Sequence, residues 1–119
     1  MTRITVTVRE GPVFHRHRCA ELDAAIEIVR EEARRLSEGA HARPAHLLAH
    51  KLEPVEQVVG RVQLSVAAGR LRRGRTVGVD VRGDGSLEAY SGGVTRRVVE
   101  ARPGEDAFAA LRRSLTDPD

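Results

Sequence analysis

Thr76-Val-Gly-Val-Asp-Val-Arg-Gly-Asp-Gly-Ser-Leu-Glu-Ala-Tyr90 is the stretch whose reading decides the fold. Val77, Val79 and Val81 alternate with Thr76, Gly78, Asp80 and Arg82, which puts the valines on one face of an extended segment. On a helix the same spacing would scatter them around the axis. Asp84-Gly85 then supplies one of the strongest short-range hairpin signals, and Leu87–Tyr90 runs back. A hairpin with one apolar face needs a second layer to cover it.

Moving outward, residues 58–66 repeat the alternation, with Val62, Leu64 and Val66 opposite Arg61, Gln63 and Ser65. At the N-terminus Ile4, Val6 and Val8 alternate with Thr5, Thr7 and Arg9, Glu10-Gly11-Pro12 turns the chain, and residues 13–18 read as a second strand. From about Ala20 the period becomes helical, and Leu22, Ala25, Ile26, Val29, Ala33 and Leu36 form one stripe. Acids at its start, Arg34 and Arg35 near its end and Gly39 beyond predict a helix that stops at the glycine. Gly92-Gly93 leads to a strand near 94–101, Pro103-Gly104 breaks it, and residues 105–115 predict a last helix burying Ala107, Phe108, Leu111 and Leu115. Between Gly39 and Pro54 a short helical turn and an extended lead-in strand fit equally.

Each helix has one apolar stripe and each strand one apolar face. The expected architecture is therefore a two-layer α+β sandwich, an antiparallel sheet with an N-terminal β-hairpin and two helices packed on one face, in the order β-β-α-β-β-β-α. Residues 1–115 form one domain in this reading and 116–119 a frayed tail. Arg61 and Gln63 fall on the uncovered face.

Aromatic residues are few, only Phe14, Tyr90 and Phe108, so a stacking platform for single strands is disfavoured. Cys19 is the one cysteine, which excludes an internal disulfide and favours a reducing compartment. No run approaches the ~20 apolar residues of a membrane helix, and the first residues lack the apolar core of a secretion signal. The expectation is a cytoplasmic protein with no membrane partner.

Charge is unevenly placed along the chain. Residues 1–60 balance nine bases against nine acids, whereas residues 61–102 carry nine arginines and four acids. The densest group is Gly69-Arg-Leu-Arg-Arg-Gly-Arg75, an arginine connector between two strand patterns. Arg61, Arg70, Arg72, Arg73, Arg75, Arg96 and Arg97 are the expected phosphate-binding groups, because guanidinium forks stay charged and grip phosphate bidentately. Near-exclusive use of Arg over Lys also fits a GC-rich genome, which explains the residue type but not the clustering. The first helix is acidic, with six acids and three arginines over 20–38, and would repel nucleic acid or dock a basic partner.

Other chemistry is sparse. His15, His17 and Cys19 share one face of a strand and are the weak metal candidates, although side chains on one strand fan apart and rarely meet at one tetrahedral ion. His46 and His50 would share a face only if their segment is helical. Arg82-Gly83-Asp84 reads as turn chemistry, and Asp80–Gly85 lacks the ligands of a calcium loop. Asp80 reads as a solvated strand acid. No serine sits in a nucleophile motif, so no catalytic residue and no cofactor are expected.

From Gly60 onward the segments Val62–Val66, Thr76–Val81, Leu87–Tyr90 and Gly104–Arg113 run in an order that resembles the N-terminal domain of ribosome hibernation-promoting factors, the ribosome-associated translation inhibitors. Glu105, Asp106, Phe108 and Ala109 are similar to the opening of that domain's last helix. The resemblance covers about residues 60–115 and implies binding to ribosomal RNA, with Arg61, Arg112 and Arg113 as the residues that carry over. The N-terminal hairpin, the long 39–55 stretch and the acidic first helix depart from the family's pattern.

Three functional readings result. One is a non-catalytic RNA-binding domain acting through the connector and sheet edge. The second is a homodimer or protein-interaction module that docks an acidic or basic partner. The third is an enzyme whose site the sequence does not display.

Overall fold

The computed structural model describes residues 3–42, 57–67 and 74–116. The connector arginines Arg70, Arg72 and Arg73, the histidines His46 and His50 and the tail 117–119 lie outside the described residues. The strands are β1 (Ile4–Glu10), β2 (Val13–Cys19), β3 (Val58–Val66), β4 (Arg75–Arg82), β5 (Leu87–Ser91) and β6 (Arg97–Val98). They form an antiparallel sheet in the order β2-β1-β3-β4-β5-β6. Helices α1 (Leu22–Ala42) and α2 (Ala107–Thr116) pack on one face of it. The expected α+β architecture is the one observed.

The core lies between the sheet and the helices. Val6, Val8, Leu64, Val77, Val79 and Val81 point inward from the three central strands and are fully buried or nearly so. Ile26, Val29 and Leu36 of α1 and Phe108 and Leu111 of α2 meet them. Removing each such side chain from water contributes about 1.5–3 kcal/mol, so branched aliphatic residues suffice without a large aromatic anchor. α1 lies over β1, β3 and β4, and α2 over β4 and β5. β4 is thus covered by both helices.

The boundaries of three elements, α1, β6 and α2, differ from expectation. α1 does not stop at Gly39 but continues to Ala42. Gly39 keeps a negative φ, and Ala40, one turn beyond Leu36, is buried to 4% exposure. Burial of the continuing stripe overrides the weak helix propensity of glycine. At the other end, β6 shrinks to Arg97–Val98 because the chain bends sharply after β5. Gly92 adopts φ +97°, and a Cβ there would lie 2.1 Å from the Thr95 carbonyl oxygen. The bend takes up residues that the alternation had assigned to a strand. Thr116, assigned above to the tail, is the last residue of α2.

The 100–106 turn is clasped to α2. Asp106 caps the helix by accepting the Ala109 N–H at 2.8 Å. Arg113 donates to both oxygens of Glu105 at 2.9 and 3.0 Å and to the Glu100 carbonyl at 2.9 Å. With the Arg102 N–H also donating to Glu105, these bonds hold that carboxyl down to about 2.

Candidate nucleic-acid interface

Strand register brings distant residues into rows across the face that the helices leave open. One row runs Arg18, Thr5, Ser65, Thr76 from β2 to β4. The next runs Arg16, Thr7, Gln63, Gly78, Tyr90, Val98 from β2 to β6. A third runs Phe14, Arg9, Arg61, Asp80, Glu88.

The middle row explains Gly78. The Tyr90 ring lies down across β4, and its hydroxyl donates to Gln63 Oε1 on β3 at 3.0 Å. A Cβ on Gly78 would sit 2.5 Å from the ring's Cζ and hydroxyl oxygen. Above the ring the guanidinium carbons of Arg96 and Arg61 lie 5.0 and 5.5 Å from its centroid. The ring is thereby 3% exposed on what would otherwise be a wet surface. Burial pushes its hydroxyl up to about 12, against the pull of the two arginines.

Asp80 is not the solvated acid that alternation implies. It points away from the apolar core, yet it is only 9% exposed because Arg61, its cross-strand neighbour, donates to Oδ1 at 2.6 Å. Arg82 closes the same way on Glu88 at 2.5 Å. The remaining bases of the face have no such partner. Among the described residues Arg9, Arg16, Arg18 and Arg96 make no ion pair, and Arg9 rests over the Phe14 ring at 5.9 Å.

The helix face is organised oppositely. Four of its five helix arginines are tied to carboxylates: Arg30 to Asp106, Arg35 to Glu32 and Glu10, Arg112 to Asp23, and Arg113 to Glu105. α1 itself carries five acids against three arginines. The two helices together balance five acids with five arginines, so the helix side is largely neutralised by its ion pairs while the open face keeps unpaired bases.

The nine arginines expected from the sequence are split by this arrangement. Arg61 and Arg96 stand on the open face, around Tyr90. Arg75, Arg97 and Arg113 line a cleft of about 660 Å³ at the end of the sheet beside α2. There Arg75 donates to the Leu115 carbonyl at 3.2 Å, and Arg113 holds Glu105. Arg112 bridges the helices through Asp23 at 2.7 Å. Arg70, Arg72 and Arg73 are outside the described residues.

Sequence reasoning missed Arg9, Arg16 and Arg18. Charge summed along the chain hid them, because the acids that balance them numerically sit on α1, behind the sheet. The usable signal was their alternation: each lies on the non-apolar face of its strand. His15, His17 and Cys19 do share the helix-side face of β2, but no group of three metal-ligating side chains comes together among the described residues. No helix among the described residues is long and apolar enough to cross a membrane.

Comparison with family models, with curated proteins and with solved structures found no match to this chain.

Proposed function

We propose that this chain is a non-catalytic RNA-binding domain whose open sheet face contacts the phosphate backbone. The carrying observation is that Arg9, Arg16, Arg18 and Arg96 stand on that face without a carboxylate partner among the described residues. Guanidinium groups left unneutralised on a broad, polar surface bind phosphates and release counterions. The acidic α1 does not oppose this, since it lies on the other side of the sheet. The family resemblance points to ribosomal RNA within this class.

The test is fluorescence anisotropy with a labelled RNA hairpin at 50 and 200 mM salt. Arg9→Gln, Arg16→Gln and Arg18→Gln combined remove three phosphate contacts, so the slope of log affinity against log salt falls by about 2–3. Arg34→Gln, on exposed α1 surface, leaves binding unchanged. A triple variant that binds like wild type with the same slope removes the open face as the site. Arg70, Arg72 and Arg73 changed together to Ser measure the connector separately, and purified ribosomes replace the hairpin to test the finer reading.

A second reading has one observation in its favour. β2 is a seven-residue strand at the sheet edge with Val13 and Phe14 exposed at 49% and 58%, where an extended partner segment could add. Light scattering tests its homodimer form, which a strict monomer refutes.

A further inference from the structure

We infer that the open face takes an A-form RNA duplex across its minor groove, reading the sugar hydroxyls with its own central hydroxyls; this rests on the RNA-binding reading above. The face has three zones. Arg16 and Arg18 on β2 form one basic bank, and Arg96 above Tyr90 of β5 forms the other. Because the Tyr90 ring lies across β4, three strand spacings of ~4.8 Å place these banks ~14 Å apart. Between them Thr5, Thr7, Ser65 and Thr76 form a half-buried strip on β1, β3 and β4, about 10 Å wide. Ser65 and Thr76 hydroxyls already lie 3.5 Å apart, so their donors and acceptors face one place.

Each alternative nucleic acid fits this surface worse. A single strand wants exposed rings on which to stack. Tyr90 is covered by Arg61 and Arg96, and Phe14 is the one exposed ring among the described residues. The minor groove of B-form DNA, about 6 Å wide, is too narrow for the strip, and its major groove admits a helix or a two-stranded ribbon rather than a broad sheet. The minor groove of an A-form duplex is wide and shallow and displays 2′-hydroxyls between two phosphate rows. A flat strip of hydroxyls between two basic banks complements that pattern in shape and in chemistry. A 2′-hydroxyl both donates and accepts, as threonine and serine do, and DNA has none.

The experiment compares one sequence as RNA duplex, DNA duplex and single-stranded RNA, each labelled, against the full chain at 100 mM salt. The RNA duplex is expected to bind at least tenfold tighter than either of the others. Thr5→Val with Thr7→Val keeps the branched strand side chains and deletes two hydroxyls. It weakens the RNA duplex by about fivefold for each bond lost and leaves the DNA duplex unchanged. Arg16→Gln with Arg18→Gln weakens both duplexes alike and preserves their ratio.

Single-stranded RNA binding as tightly as the duplex overturns this inference while leaving RNA binding intact, and would mean that Arg96 uncovers Tyr90. Equal binding of the RNA and DNA duplexes, or an unchanged ratio in the threonine double variant, also overturns it. No binding of any of the three at low salt removes the RNA-binding reading with it. Should the threonine variant fail to fold, as judged by its thermal melt, the three-way comparison with wild type still decides.

Discussion

Gly78→Ala is expected to change sign with the residue at position 90. In the wild-type background the new Cβ would meet Tyr90 Cζ and the hydroxyl oxygen at 2.5 Å and Cε2 at 2.7 Å. The ring must lift by about 1 Å to reach ordinary contact, which pushes it against Arg61 and Arg96 and breaks the 3.0 Å bond to Gln63. Overpacking of this kind costs about 1–3 kcal/mol and the lost hydrogen bond about 1 kcal/mol. Relief of glycine's unfolded-state entropy in a strand returns about 0.5–1 kcal/mol. The net loss is about 2 kcal/mol, or about 1 M in the urea midpoint. With Tyr90→Leu, whose side chain ends short of all three clashing atoms, only the entropic gain remains. Gly78→Ala should then stabilise by about 0.5–1 kcal/mol. Urea unfolding followed by far-ultraviolet circular dichroism closes the cycle, with a coupling of about 2–3 kcal/mol. Equal destabilisation in both backgrounds would refute the reasoning, since the glycine would then serve the backbone and not the ring.

Other predictions are briefer. Tyr90 is the only tyrosine, so tyrosinate absorbance near 295 nm reports it alone: it should appear only as pH approaches about 12 in the folded protein and near 10 in urea. Because this hydroxyl is raised in the folded state, its contribution to stability is complete below pH 10 and fades above it. Glu105 runs the other way. Its carboxyl is depressed to about 2 by Arg113, so the pair's stabilisation is complete above the ordinary glutamate range and disappears as pH falls toward 2. Thermal melts of Glu105→Gln should therefore show a shallower loss of stability over that acid range than wild type. Gly92→Ala should cost about 1–3 kcal/mol in urea unfolding, since φ +97° and the Thr95 carbonyl both exclude a side chain. Arg61→Met strands Asp80, and in the same assay should cost more than Arg61→Met combined with Asp80→Asn.

The layers of the fold were legible because alternation and helical period are local properties. Val77, Val79 and Val81 report their own burial whatever lies beside them. Gly39 misled because a glycine stop is a local signal, whereas Ala40's burial against the core is a tertiary one. The site was less legible, because its parts are joined by register. That Tyr90 crosses Gly78 to reach Gln63, or that Arg61 faces Asp80, depends on which strands pair and at what offset. Nothing within 58–66 or 76–90 alone states that offset. The basic face was hidden for the same reason, since Arg16 and Arg18 become neighbours of Thr7 and Thr5 only once β2 folds back on β1.

β2 has a further consequence, for the solution behaviour of the protein. A seven-residue strand at the edge of a sheet invites a second copy to pair with it. In a symmetric antiparallel pairing centred on Arg16, that arginine would face its own counterpart, so like charges oppose the union. A side chain proposed to hold phosphate is thus also the guard of an otherwise sticky border. Neutralising it should expose a latent tendency to form fibres or aggregates, and RNA bound across it would screen the guard while itself standing in the way. The chain's solubility and its proposed grip would then rise and fall together through Arg16.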